Sequence, residues 1–176
     1  MRVSTLLRVV VLALPGCAVA SGATIVQALN NVNTKTQSLE QTVQSWSGDL
    51  LGSLSIVAES ASVLQAICAG RDAAQASAEL TVDEALSIAT AVETLATTVN
   101  ATMTAIIDAH AKFADILEAP VVLLDLKAQK SASDAMSSAI VAKVPASLQA
   151  IAQSLVAPID ESFALAIDAF SVSKGI

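Results

Sequence analysis

The chain of 176 residues is 54% hydrophobic but only 2% aromatic and 14% charged, with a formal net charge of -7. This length fits a single domain, and the high apolar content excludes an intrinsically disordered chain. Alanine fills 35 positions and serine and threonine fill another 32, a composition typical of helices. In soluble domains about a quarter of all residues are charged, so this chain is unusually apolar.

The first 20 residues predict a secretory signal peptide. Arg2 and Arg8 precede an apolar run over residues 9–14, and small residues follow it, so we expect cleavage after Ala20. Two alternatives stay open at this point. One is an uncleaved membrane anchor, for which the run is much shorter than the ~20 residues that span a bilayer. The other is a bacterial lipoprotein signal ending at Cys17.

Cleavage leaves residues 21–176 as one domain, in which we expect no transmembrane segment. This domain has 7 basic and 16 acidic residues, a formal charge of -9, which disfavours nucleic acid as a partner. Its single cysteine, Cys68, continues an apolar stripe, which favours a buried thiol over a link between two chains. Asn100 begins an Asn-Ala-Thr sequon and is a glycosylation candidate if it faces solvent.

Apolar residues at alternating steps of three and four predict about five amphipathic helices. The first covers residues 21–47, with its stripe at Ile25, Leu29, Val32, Thr36, Leu39, Val43 and Trp46. The second covers residues 50–70, with an apolar stripe at Leu50, Leu54, Val57, Ala61, Leu64 and Cys68, and ends at Gly70. Residues 71–80 are predicted to form a loop with one short helical turn.

The remaining helices are bounded by a capping box and by prolines. Thr81 and Glu84 open a long third helix that runs up to Pro120 and is expected to bend near residues 97–100. A fourth helix follows, with its stripe at Leu124, Ala128, Ala132, Ala135 and Ile140. The fifth begins at Pro145 and is expected to kink at Pro158. The predicted fold is therefore an all-α single bundle of about five amphipathic helices, with a long third helix and a kinked fifth.

Few residues suited to catalysis are available. His110 is the single histidine and there is no tyrosine, so a catalytic triad has one candidate base, and His110 lies on an apolar stripe near Phe113. One histidine and one thiol do not make a zinc site. We therefore expect no enzyme activity, no catalytic residues, no metal and no cofactor.

The apolar stripes are the main functional feature of the sequence. Small residues beside them fit either close helix packing or an apolar cavity for an acyl chain, and the composition leaves both open. A bundle that opens would also adsorb to hydrophobic solids, because burying apolar area is favourable on any apolar surface. The candidate lipid-binding residues are Leu54, Val57, Leu64, Val92, Leu95, Val99, Ile106, Phe113, Leu124, Ile140, Ile151, Leu155 and Phe163.

Several segments together resemble a known family. They are Val43–Trp46, Thr81–Leu86, Leu126–Ala135, Lys143–Pro145 and Ala157–Asp160. Across residues 21–176 this pattern resembles the fungal hydrophobic-surface-binding protein A family, which includes cell-wall galactomannoproteins. The stretch over residues 124–160 is its most specific part.

The resemblance implies a secreted, extracellular or cell-wall associated fungal protein that is not an enzyme. Its expected partners are hydrophobic surfaces or fatty acids, with a secreted polyester hydrolase as a further candidate, and the oligomeric state stays open. Because no Ser/Thr-rich tail follows Lys174, we expect free secretion. The competing interpretations are a structural or antigenic wall galactomannoprotein that carries glycans on a tightly packed scaffold, and a coiled-coil protein of a bacterial envelope.

Overall fold

The computed structural model describes residues 21–171, which form helices and a single 3-10 turn, with no β-strand in that range. The all-α prediction is confirmed. The predicted signal peptide and its cleavage site at Ala20 lie outside the described residues. The helices are α1 (Gly22–Ser45), α2 (Leu50–Ala76), α3 (Val82–Asp108), α4 (His110–Asp115), α5 (Ala119–Val141) and α6 (Gln149–Ser171), and the 3-10 turn is Ala146–Leu148.

The five long helices form a closed ring around one core. Going round the ring, α1 packs on α2, α2 on α5, α5 on α6, α6 on α3, and α3 on α1. Aromatic rings fill one end of the core, where Phe113 lies 4.6 Å from Trp46 and 6.1 Å from Phe170 between ring centroids. His110 packs edge-on against Phe170 at 4.6 Å and is half-buried, as the sequence predicts.

Side-chain caps define two of the helix starts. The Asp49 carboxylate accepts from the Gly52 amide at 2.7 Å at the start of α2. The predicted capping box is present on α3, where Thr81 accepts from the Glu84 amide and Glu84 accepts from the Thr81 amide at 3.0 Å. Glu84 also accepts from the Gly22 amide at 3.0 Å, so the same carboxylate fixes the start of α1 against α3.

The end of the second helix differs from the sequence prediction. The second helix continues through Gly70 to Ala76, so the loop predicted from residue 71 is wrong over that stretch. Gly70 is buried, and a Cβ atom there would lie 2.7 Å from the Met136 sulfur, so this glycine permits close packing of α2 on α5. A glycine in a tight helix contact does not end the helix.

The long third helix is interrupted near its end. It breaks at Ala109, giving α3 and the short α4, and it stays helical over residues 97–100, where a bend was expected. The Thr97 and Thr98 hydroxyls donate to the carbonyls of Glu93 and Thr94, at 3.1 and 3.3 Å, within the same helix. These threonines satisfy their hydroxyls without disturbing the helical backbone. Pro158 lies within α6 as predicted, and the kink there stays a prediction.

The buried faces follow the predicted stripes on α1 and α3 but not on α2 and α5. On α1 and α3 the stripe residues from Ile25 to Val43 and from Ala85 to Ile106 are buried. The face that α2 buries is offset by one position from the predicted stripe and consists of Ser53, Ile56, Ser60, Val63, Ala66, Ile67, Gly70 and Ala74. The face that α5 buries consists of Ala119, Leu126, Gln129, Ser133, Met136 and Ile140.

The offset has a physical reason. α2 is apolar around most of its circumference, and on α5 polar and small residues occur on every face, so spacing alone does not select the buried face of either helix. Their buried faces carry serine and glutamine, whose polar atoms bond across the α2–α5 interface. The offset also places Cys68 in a half-buried position, which corrects the expectation of a buried thiol.

Two helical segments are long and apolar enough to cross a membrane by length and composition alone. They are Leu50–Ala76, with a mean hydropathy of 1.5, and Ala146–Ser171, with 1.3. In the structure both pack in the bundle, yet only 33% and 22% of their most apolar stretches are buried. The bundle therefore leaves apolar surface exposed on these two segments.

Candidate functional site

An apolar cleft lies between α3, α5 and α6, and we call it the α3–α6 cleft. Its free volume is about 100 Å³. Its lining is aliphatic except for one serine and one methionine, and consists of Leu29, Ala85, Leu86, Ile88, Ala89, Val92, Leu95, Met136, Ser137, Ile140, Val141, Val144, Leu148, Ile151, Ala152, Leu155, Val156 and Ile159. Such a lining suits an acyl chain and offers no charge to a ligand.

Ser137 is the single polar side chain of this lining. It is half-buried, and its hydroxyl makes no hydrogen bond with the described residues. What distinguishes Ser137 from the other serines of α5 is its place in the lining of this cleft. It lies three residues before Ile140, on the same face of α5.

The first half of α6 covers the cleft without being buried in the core. Residues 149–158 include no buried side chain, although Ile151, Ala152 and Leu155 line the cleft. The buried residues of α6 begin at Ile159, immediately after Pro158. Proline lacks the amide that would bond back to the preceding turn, so the helix is weakest at this junction.

The second half of α6 is held firmly. Phe163, Ala166 and Phe170 are buried in the core. Lys130 on α5 donates to Asp134 at 2.9 Å and lies 3.7 Å from Asp160, so it links α5 to α6 just after the proline. The hydrogen bond to Asp134 raises the pKa of Lys130, and burial raises the pKa of Asp160.

A small central cavity of about 20 Å³ continues inward from the cleft. Leu95, Met136 and Ile159 line both spaces, so these side chains separate them. Of the three, Met136 has the most flexible side chain, with three rotatable bonds. The bundle interior therefore has a route along which an acyl chain could extend.

A second cleft, which we call the α2–α5 cleft, lies across the bundle and has a free volume of about 200 Å³. Most of its lining is apolar, but four polar side chains contribute, and the full set is Leu39, Ser53, Ile56, Val57, Ser60, Ala61, Leu64, Ile106, Phe113, Glu118, Val121, Val122, Asp125 and Leu126. Two carboxylates make its chemistry different from that of the α3–α6 cleft.

The structure distributes the predicted lipid-binding residues over three spaces. Val92, Leu95, Ile140, Ile151 and Leu155 line the α3–α6 cleft. The central cavity is lined by Val99 and Phe163, and the α2–α5 cleft by Val57, Leu64, Ile106 and Phe113. Leu54 and Leu124 lie on the outer surface and line none of these spaces. Their roles in binding stay predictions.

The sequence analysis missed Ser137, Met136 and the turn residues Val144 and Leu148 as candidates for this lining. Ser137 could have been found from its spacing, since it shares a face with Ile140. Leu148 continues the apolar spacing of the predicted fifth helix, whereas Val144 lies just before Pro145 in the turn and carries no periodic signal. Within residues 21–171 no group of three or more histidine, cysteine or acidic side chains is placed to hold a metal ion.

Exposed apolar side chains gather near the α2–α5 cleft, and we call them the outer apolar patch. They are Leu50, Leu51, Leu54 and Val57 of α2, and Leu117, Val121 and Leu124 around the start of α5. Leu117 is 85% exposed, Leu51 is 79% exposed and Leu124 is 71% exposed. Leu117 also has a φ of 63°, a left-handed conformation that is strained for a leucine.

The candidate glycosylation residue Asn100 is exposed on α3. This position meets the solvent-exposure condition set by the sequon. Whether Asn100 carries a glycan stays a prediction.

Comparison with known proteins adds three kinds of similarity. The family model for hydrophobic surface binding protein A matches residues 22–142. The cell wall mannoprotein 1 of Aspergillus flavus is 29% identical over 150 residues, and that of Aspergillus fumigatus is 32% identical over 152 residues. These alignments cover 85% and 86% of the chain but only 54% and 53% of the relatives, so the chain spans about half of their length.

Two solved structures share the fold. The crystal structure of Afmp4p in complex with palmitic acid has a TM-score of 0.83 and 27% identity, covering 85% of this chain and 99% of that one. Ligand binding domain 1 of the Penicillium marneffei MP1 protein, complexed with arachidonic acids, has a TM-score of 0.79 and 19% identity. It covers 83% of this chain and 95% of that one, and it shows the fold alone.

Proposed function

Because the chain belongs to the hydrophobic surface binding protein A family, we propose that it is a non-enzymatic protein that holds a long-chain fatty acid in the α3–α6 cleft. The observation that carries this proposal is the cleft itself, an aliphatic space with one free hydroxyl beneath a half-buried stretch of helix. Afmp4p, whose fold is similar, is complexed with palmitic acid, which supports the choice of ligand.

The size of the cleft requires it to open. Its volume of about 100 Å³ is below the ~150 Å³ of an engineered cavity that binds benzene, and ligand pockets usually measure ~300 Å³ or more. The first half of α6 is the part that moves, because few buried contacts hold it and Pro158 weakens its connection to the anchored half. Rotation of Met136 then extends the space into the central cavity.

The head group has one matching donor. Ser137 offers a free hydroxyl to a carboxylate, which has only acceptor atoms. No basic side chain lines the cleft, so one neutral hydrogen bond orients the acid while the aliphatic lining supplies most of the affinity, about 0.8 kcal/mol per buried methylene. This site would accept chains of several lengths and would discriminate weakly between head groups.

The experiment uses protein that lacks residues 1–20 and has been delipidated in organic solvent. Palmitate is titrated into it below the critical micelle concentration of palmitate. We expect saturable binding by calorimetry, with a negative heat-capacity change from apolar burial. A matched titration with butyrate controls for binding through the carboxylate alone. Absence of palmitate binding by folded protein would refute the proposal.

A second candidate function is adsorption to hydrophobic solids through the outer apolar patch. The exposure of Leu51, Leu117 and Leu124 favours it, since a fully buried leucine contributes ~1.5–3 kcal/mol. A triple replacement of these leucines by serine is expected to leave more protein in solution over hydrophobic beads. The control replaces Val82 and Leu165 by serine, since these residues are also exposed but lie on α3 and α6, outside the patch and the α3–α6 cleft. Equal depletion of both variants would rule out the patch as the adsorbing face.

We further propose a secreted or cell-wall location, supported by relatives named cell wall mannoproteins and by the predicted signal peptide. Glycan analysis at Asn100, together with wall fractionation and a palmitate-binding assay, distinguishes a lipid-binding protein from a purely structural wall protein. Heavy glycosylation and wall retention without palmitate uptake would favour the scaffold interpretation. Recruitment of a secreted polyester hydrolase stays a prediction, which co-adsorption with such an enzyme on polyester film would test.

A further inference from the structure

The α2–α5 cleft carries two matched pairs of polar side chains. The Ser53 hydroxyl contacts Glu118 at 3.1 Å, and the Ser60 hydroxyl donates to Asp125 in a short hydrogen bond. In each helix the two positions are seven residues apart, so the pairs lie about 10 Å from each other along the cleft. Apolar side chains of Ile56, Val57, Val121 and Val122 fill the stretch between them.

The hydrogen-bond donors of this cleft are already used. Ser53 shares its one hydroxyl hydrogen between the Leu50 carbonyl, at 2.8 Å, and Glu118. Ser60 donates to Asp125, and Gln129 uses its amide hydrogens on Ser60, at 2.8 Å, and on Asp125, at 2.9 Å. No donor is left for an incoming acceptor group.

Acceptors, by contrast, remain free. The described hydrogen bonds involve one oxygen of each carboxylate, Oε1 of Glu118 and Oδ2 of Asp125. Within residues 21–171 no basic side chain lies within ion-pair distance of either carboxylate, because the recorded pairs involve Arg71 and Lys130 with other acids. The cleft therefore presents two negative, acceptor-only groups at the ends of an apolar surface.

We propose that the α2–α5 cleft binds a long-chain primary amine. The ammonium group, which has three donors and no acceptor, pairs with Glu118 or Asp125, and the alkyl chain lies along the apolar lining. A fatty acid does not suit this cleft, because its carboxylate brings like charge and only acceptors. Long-chain bases, which carry an amine at the end of an alkyl chain, form the natural ligand class with this chemistry.

This inference adds a second site to the proposed function and is separable from it. The α3–α6 cleft is uncharged and offers a donor, whereas the α2–α5 cleft is acidic and offers acceptors. The two clefts share no lining residue. The outer apolar patch borders the acidic cleft through Val57 and Val121, which gives an alkyl chain an apolar approach.

The test uses dodecylamine, dodecanol and dodecanoate below their micellar concentrations, titrated into protein lacking residues 1–20. Ala152→Phe, which fills the α3–α6 cleft, isolates the acidic cleft. This variant is expected to bind dodecylamine with about unchanged affinity, dodecanol more weakly and dodecanoate not measurably. Binding of dodecanoate at the same affinity as the amine by this variant would overturn the proposal.

Two substitutions then test the carboxylates. Glu118→Gln and Asp125→Asn keep size but remove charge, and the substitution at the carboxylate that pairs with the ammonium is expected to weaken dodecylamine binding about tenfold, the scale of a charge-assisted hydrogen bond. Glu93→Gln, an exposed position on α3 outside both clefts, controls for the loss of net charge. Ala61→Phe, which fills the acidic cleft, should abolish amine binding while palmitate binding to the other cleft persists. Equal amine affinity in Glu118→Gln, Asp125→Asn and Glu93→Gln, all folded by circular dichroism, refutes the proposal.

Discussion

Replacing Ala152 by phenylalanine should close the α3–α6 cleft with little cost to the fold. Ala152 is half-buried on the first half of α6 and lines the cleft. A phenyl ring is similar in size to benzene, which a ~150 Å³ cavity accommodates, so it would fill a space of about 100 Å³. Burial of the ring favours the closed state, whereas crowding costs ~1–3 kcal/mol, so the net change in unfolding free energy should be small.

The loss of binding can be worked out from the displaced chain. If the ring excludes three or four methylenes of palmitate, at ~0.8 kcal/mol each, binding weakens by about 2.5–3 kcal/mol. That energy corresponds to roughly a 100-fold higher Kd, since ~1.4 kcal/mol is a factor of ten. The loss should appear mainly as faster dissociation, because most differences between related complexes lie in the dissociation rate.

The assay is displacement of a fluorescent fatty acid by palmitate, with urea denaturation as the stability check. Ala150→Phe serves as the matched control, because Ala150 is exposed two residues away on the same helix. The control should bind palmitate like the parent protein. If Ala152→Phe binds palmitate normally while remaining folded, the chain does not occupy this cleft and the reasoning fails.

Three further predictions concern the head group, the hinge and the acid response. Ser137→Ala should weaken palmitate binding about three- to tenfold but leave hexadecane binding unchanged in a competition assay, and equal losses for both would refute a head-group role. Pro158→Ala restores a helical amide, so stopped-flow mixing should show slower palmitate association, and an unchanged rate would exclude this hinge. Hydrogen bonds from the amides of Thr81 and Gly22 lower the pKa of Glu84 from 4.5, so its stabilising contribution is present above that pH and lost as pH falls through the lowered pKa. Glu84→Gln should therefore be less stable than the parent near neutral pH, with a difference that shrinks in acid urea titrations, and a constant difference would contradict the assignment.

The fold class followed from sequence because periodicity was strong where helices are amphipathic. On α1 and α3, large aliphatic residues occupy one face and polar residues the other, so the predicted stripes are the buried faces. The capping box at Thr81 and Glu84 was readable for a similar reason, since it depends only on residues in contact along the chain. What sequence could not supply there was the third partner, the Gly22 amide, which lies 62 residues away.

The buried faces of α2 and α5 were not readable from sequence. Ser53, Ser60 and Gln129 look like surface residues, yet they are buried. Ser53 and Ser60 donate to Glu118 and Asp125 across the interface, and Gln129 donates to Ser60. The leucines that appear suited to a core, such as Leu54 and Leu124, are exposed instead. Such pairings depend on which helices become neighbours, and no local pattern encodes that choice.

The sequence likewise predicted some residues of the candidate site and missed others. Val92, Leu95 and Ile140 were predicted to contact lipid because they lie on regular stripes, and all three line the α3–α6 cleft. Ser137 was missed because a serine adds nothing to an apolar stripe, although it lies on the same face of α5 as Ile140. The sequence also did not show that the first half of α6 is less buried than the second half, since Ile151 and Leu155 fit a core stripe as well as Phe163 does.

The most direct test of the central claim is methyl NMR of delipidated protein lacking residues 1–20, titrated with palmitate. Our account predicts shifts for the methyl groups of Val92, Ile140, Ile151 and Leu155 around the α3–α6 cleft. The methyl groups of Leu54 in the outer apolar patch should stay unchanged at the same palmitate concentration. Shifts confined to the outer apolar patch, with none in the cleft, would show that palmitate binds on the surface and would contradict the account.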